Sequence, residues 1–129
     1  GSLCLVNIES VAAVRDLDLL LAVPGLDAVI IGPHDLSVSM GLPEQYEHPE
    51  YQKTVGDIIR RTRAHGVAAG IHFPADPARQ IRYMKEGVNM VLHSSDLFLF
   101  SQKLAEDMTR IKTAAGDLTQ LSFENDLVV

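Results

Sequence analysis

Glu9 and Asp35 are the residues around which chemistry can be built. Glu9 directly follows an apolar run at residues 3–8, and Asp35 stands just past another at residues 28–31, beyond a Gly32-Pro33 break. A charge at the end of a buried strand needs a reason. If the two strands lie parallel and adjacent, the carboxylates are neighbours; close carboxylates repel, so one takes a proton or both share a cation. Oxygen donors suit Mg2+ or Mn2+, and Mg2+ typically accepts one or two carboxylates and leaves its other positions to water and substrate. Each acid also has a plainer reading. Asp35 can cap a turn or short helix opening at Leu36, and Glu9 can sit in the first turn of a helix, where the dipole favours negative charge.

The elements that must position these groups alternate along the chain. The first strand covers residues 3–8, and Ser10 caps a helix with Val11, Val14, Leu17 and Leu21 at helical spacing, closed by Pro24-Gly25. A second strand at residues 28–31 leads into a long segment at residues 32–48. Pro49, with His48 as cap, opens a helix whose buried face is Val55, Ile58, Ile59 and Thr62, and His65-Gly66 ends it. The third strand is expected at residues 67–72. Asp76-Pro77 then starts a helix that carries Ile81 and Met84 and stops at Gly87. A fourth strand at residues 89–93 precedes a long helix, capped by Ser94 or Ser95, with Leu97, Phe100, Leu104, Met108 and Ile111 as core, ending near Gly116.

Short, doubly buried apolar strands joined by helices indicate parallel pairing and an α/β fold of four βα units. Such units form either a small doubly wound domain or part of a (β/α)8 barrel, which takes roughly 250 residues when complete. Both architectures gather ligands at the carboxyl ends of the strands. That rim collects Glu9, His34, Asp35, His72 and His93 with Ser94, Ser95 and Asp96. Three histidines would suit zinc, but they lie on separate loops without i,i+4 pairing, which argues against a tri-His site. The Ser94-Ser95 pair can bind an anion or simply cap its helix. Cys4, within the first apolar run, reads as packing. The domain is expected over residues 3–116, with residues 117–129 an unassigned tail.

Bulk properties exclude several function classes. The 129 residues are 47% apolar and 22% charged, as in a globular protein that can bury a core. A net charge of −6 without a basic cluster opposes nucleic-acid binding, and few aromatic residues leave little for base stacking. No apolar run approaches the ~20 residues of a membrane span, and no signal peptide is visible. A single cysteine fits a reducing cytoplasm.

The segments "VNIES", "GLDAVIIGPHDLSVSMGL", "HPE" and "GVNMVLHSSDLFLF", in this order and spacing, resemble the HpcH/HpaI aldolase family of metal-dependent class II pyruvate aldolases. The likeness runs over residues 3–112 and matches the second half of the family's (β/α)8 barrel. It implies that Glu9 and Asp35 are the protein ligands of a divalent metal, Mg2+, Mn2+ or Co2+. Pro33, His34 and Asp35 would contact a small 2-oxo acid such as pyruvate or oxaloacetate. The implied reaction is carbon–carbon cleavage through a metal-stabilised pyruvate enolate. The family's arginine and its proton-transfer histidine and acid belong to the barrel's N-terminal half, so no catalytic residue is assigned in this chain. The chain is therefore expected to be incomplete alone and to work as a homo-oligomer or with a complementary N-terminal half-barrel. The alternative is a non-catalytic metal-binding or assembly fragment of such an enzyme. A relative of the acyl-CoA lyases would need a nucleotide site, and none is evident.

Overall fold

In the computed structural model, residues 1–74 and 76–122 are described, with side chains through residue 116. Two compact units divide the chain, Gly1–Ser94 and Ser95–Val129.

The first unit is built on a parallel sheet whose spatial order follows the chain: β1 (Leu5–Ile8), β2 (Ala28–Ile31), β3 (Ala68–Phe73) and β4 (Met90–His93). All four β2 residues are buried, as befits a central strand covered on both faces. Side chains alternate along each strand. Ile8, Val29, Ile31, Ala69, Ile71 and Phe73 enter the core, and the intervening positions, including Asn7, Ile30, His72 and Leu92, face the other way.

The helices of this unit are α1 (Val11–Arg15), α2 (Leu17–Leu21), α3 (Pro33–Ser39), α4 (Pro49–Ala64) and α5 (Pro77–Glu86). Ser10 caps α1 by accepting the Ala13 N–H. The single helix expected after β1 is broken at Asp16 (φ −92°, ψ 12°), so Leu17 and Leu21 are buried while Val11 is exposed. The longest helix of this unit, α4, starts at Pro49 as expected, and His48 Nδ1 accepts the Glu50 N–H. Its buried face carries Tyr51, Val55, Ile58, Ile59 and Thr62.

α5 turns its apolar pair outward. Ile81 and Met84 are 52% and 53% exposed, and the inward residues are Gln80 and Tyr83. The cause lies in the strand ends, whose carbonyls need donors once buried. Gln80 Nε2 donates to Phe73 O at 3.1 Å and to Leu92 O at 3.0 Å, while Tyr83 stacks parallel on Phe73 at 6.1 Å. Those contacts set the rotation of the helix. Gly87 closes it at φ 118°, a left-handed position that suits glycine.

The second unit contains α6 (Asp96–Ser122), capped by Ser95, whose Oγ accepts the Phe98 N–H. The helix continues past Gly116, the end expected from sequence. Leu97, Phe100, Leu104, Met108 and Ile111, expected as core, are exposed. A single helix has no second layer of its own to close over an apolar stripe. Residues 123–129 of the unassigned tail lie outside the described residues.

Candidate functional site

A cavity of about 420 Å³ opens at the carboxyl ends of the strands. Glu9, Pro33, His34 and Asp35, the residues singled out by sequence, all line it. Parallel pairing explains the meeting: Ile8 is in register with Ile31, so the residues leaving β1 and β2 emerge side by side.

Glu9 is seated by two features. Asn7, two residues earlier on the same face of the chain, donates Nδ2 to Glu9 Oε1 at 2.8 Å. Gly32 leaves the space the side chain occupies, because a Cβ there would lie 2.7 Å from Glu9 Cγ and 2.9 Å from Oε1. Real Cβ contacts are never so short, so the glycine is what admits the acid. Glu9 also precedes the Ser10 cap and lies outside the first turn of α1, which removes the helix-dipole reading.

Asp35 is the third residue of α3, which begins at Pro33 with Gly32 as its N-cap. The helix thus starts before Leu36, and Asp35 caps no backbone N–H among the described residues. Among those residues neither Glu9 nor Asp35 is in an ion pair, and no Lys or Arg lines the cavity. Pro33 is buried, and its carbonyl accepts the Tyr51 hydroxyl at 3.5 Å.

A second wall was not legible from sequence. Residues 41–48 carry Glu44 and Tyr46 into the cavity lining. Buried Ser37 holds this segment: its hydroxyl donates to His34 O at 2.7 Å and accepts the Glu44 N–H at 3.0 Å. Glu44 has φ 58°, a left-handed conformation unfavourable for a residue with a side chain, and its Oε1 lies 3.4 Å from His34 Nδ1. Tyr46 packs edge-on against Tyr51 (5.5 Å) and Phe73 (5.4 Å), and the Arg79 guanidinium lies 4.8 Å from its ring centre. Burial raises the Tyr46 pKa, with the Glu44 charge adding to it, so its hydroxyl remains a donor. Glu47 is fastened to α5 by Arg79 at 3.2 Å and Arg82 at 2.9 Å. The signal in sequence would have been the pairing of Glu47 with arginines about thirty residues away, which spacing does not reveal.

The other rim groups separate. His72 lines the cavity, and its Nε2 donates to Ser94 O at 3.2 Å, leaving Nδ1 as acceptor. His93 does not line the cavity; its Nδ1 donates to Gln80 Oε1 at 2.7 Å. Cys4 precedes β1 and is exposed, contrary to the packing role expected.

The donor set fits a hard divalent cation. Glu9 and Asp35 share a cavity in which, among the described residues, no Lys or Arg is present, and the Gly32 gap accommodates Glu9. Among the described residues no three His, Cys, Asp or Glu side chains are grouped to hold an ion by themselves. A cation here would draw its remaining ligands from water or substrate. Among the described residues no helix is long and apolar enough to cross a membrane.

Comparison with known proteins agrees with this architecture. The chain is 40% identical over 112 residues to the 2-keto-3-deoxy-L-rhamnonate aldolase of Klebsiella pneumoniae, covering 86% of this chain and 42% of that one. The enzyme of the same name from Salmonella paratyphi B is 41% identical over 113 residues, with 87% and 42% covered. The crystal structure of an HpcH/HpaI aldolase from Desulfitobacterium hafniense superposes with a TM-score of 0.77 at 36% identity, over 85% of this chain and 42% of that one. The chain thus spans less than half the length of these relatives, and its four βα units correspond to part of a TIM-barrel-like aldolase. With residues 2–102 matching the family model for HpcH/HpaI aldolase/citrate lyase, the chain belongs to that family.

Proposed function

We propose that the cavity is the metal and 2-oxo acid half-site of a divalent-metal-dependent aldolase, a carbon–carbon lyase. The observation that carries this reading is the seating of Glu9 in the gap left by Gly32, in one cavity with Asp35 and without a neutralising Lys or Arg. Glu9 and Asp35 would hold Mg2+, Mn2+ or Co2+. A cation bound there would supply Lewis-acid stabilisation of the charge that collects on the 2-oxo oxygen as the carbon–carbon bond breaks. Asn7 fixes the Glu9 carboxylate through its hydrogen bond, limiting the reorganisation required on binding. Backbone at Pro33, His34 and Asp35 would lie against the carboxylate of pyruvate or oxaloacetate, with α3 anchored by Ser37 and Tyr51.

We further propose that the chain functions in an assembly, either as a homo-oligomer or with a complementary N-terminal half-barrel. Support comes from the exposed apolar side chains of α6 and from β1 and β4, which lie at the outer edges of the sheet. The same features favour a second reading, a non-catalytic metal-binding or assembly fragment. Sedimentation velocity on the chain tests assembly: a monomer at all concentrations opposes the homo-oligomer.

Calorimetric titration of oxalate, an analogue of the pyruvate enolate, tests the half-site. Binding is expected only with Mn2+ and is lost in a Glu9→Ala, Asp35→Ala double variant. Absence of binding in the folded wild-type chain would overturn the half-site. Retro-aldol turnover by the purified chain would decide against the non-catalytic reading.

A further inference from the structure

The cavity is larger than pyruvate needs. At about 30 Å³ per water-sized group, 420 Å³ holds on the order of a dozen such groups. Pyruvate has six non-hydrogen atoms. With the carboxylate and 2-oxo group of a substrate at Glu9 and Asp35, room remains for a tail.

The lining available to that tail includes His34, Glu44, Tyr46 and His72. It has carboxylate and imidazole acceptors and a phenol donor, but among the described residues no Lys or Arg. Arg79, beneath the wall, is committed elsewhere: it lies over the rings of Tyr46 and Phe73 and pairs with Asp76 and Glu47. A second substrate carboxylate would therefore find no cationic partner in this lining and would meet the Glu44 charge. A hydroxyl, which both donates and accepts, matches the lining.

The position of Glu44 is fixed. Its backbone is bound to buried Ser37, its side chain faces His34 Nδ1, and the flanking Tyr46 and Glu47 are held by Arg79. A left-handed backbone at a residue other than glycine costs free energy and persists only where its surroundings determine it.

We propose that Glu44, paired with His34, is a specificity-determining residue that disfavours 2-oxo acids with a second carboxylate and admits those with a neutral, hydroxylated tail. This rests on the half-site reading above and extends it to the far end of the substrate.

The test is competition calorimetry on the full chain with Mn2+, using oxalate as a tail-free reference beside two six-carbon probes, 2-oxo-3-deoxygluconate and 2-oxoadipate. Wild type is expected to favour the hydroxylated probe about fivefold, near the upper limit for exposed charges. The preference should shrink at high ionic strength. Glu44→Gln should bring the ratio near one, and Glu44→Asp, which keeps the charge, should preserve it. Should Glu44→Gln not fold by circular dichroism, the wild-type salt dependence still decides. Oxalate binding with equal affinity for the two probes, a preference indifferent to salt, or an unchanged ratio in folded Glu44→Gln overturns the role of Glu44 alone. Loss of oxalate binding itself in wild type overturns the half-site, and this inference with it.

Discussion

The strand-end wall of the cavity carries Glu9 and Asp35 on residues that leave adjacent parallel strands, whereas the second wall carries Glu44 and Tyr46 on residues 41–48, which lack regular structure. The first is placed by the sheet ladder and the missing Cβ of Gly32. The second depends on side chains reaching from other elements: Ser37 from α3, and Arg79 and Arg82 from α5. One construction is local and backbone-led; the other is long-range and polar. The two should therefore fail separately.

The largest effect is expected from Gly32→Ala. The new methyl displaces Glu9, and oxalate affinity in Mn2+ should fall about 10- to 100-fold, as when support of a metal ligand is lost. The residue has φ −88°, so alanine suits the backbone and the melting temperature should change little. A large loss of stability with binding retained would break the assignment of Gly32 to the site.

Gln80→Leu should lower stability by about 2–3 kcal/mol in urea unfolding, because the carbonyls of Phe73 and Leu92 lose their donor. Arg79→Ala should cost about 1–2 kcal/mol from lost cation–π contacts and ion pairs. It loosens the second wall, so it should erode tail discrimination more than oxalate binding. Equal loss of both would show that the walls are coupled.

The smallest effect is one of pH. Hydrogen bonds from Arg82, and then from Arg79, hold the Glu47 carboxyl below its ordinary value of 4.5. A carboxyl whose pKa falls on folding adds stability above its unfolded value and loses it as pH drops through the lowered value. Stability should thus decline below pH 4.5 by less than about 1 kcal/mol, since Glu47 is exposed, and Glu47→Gln should flatten that decline.

The sheet and most helix starts were legible because their signals are local. Four buried residues in β2, a Ser10 cap and a His48-Pro49 entry each state their structure within one turn or strand. Glu9 and Asp35 were legible because parallel strands deliver their C-terminal neighbours to one rim. The rotation of α5 was not, because hydrophobicity favours Ile81 while two strand-end carbonyls demand Gln80. Polar satisfaction overrode the apolar pattern. Tyr46 was missed because nothing near it in sequence identifies Arg79 as its support, and Glu44 because its ties to Ser37 and His34 form only once the turn between them has folded.

The order of the sheet has a kinetic consequence. Each strand pairs with the one before it in the chain, so every ladder closes across a single βα connection. Closure entropy rises slowly with loop length, and local pairings speed the search for the native arrangement. The sheet can therefore grow one unit at a time outward from β2, its most buried strand, with no step that must wait for the two ends of the chain to meet.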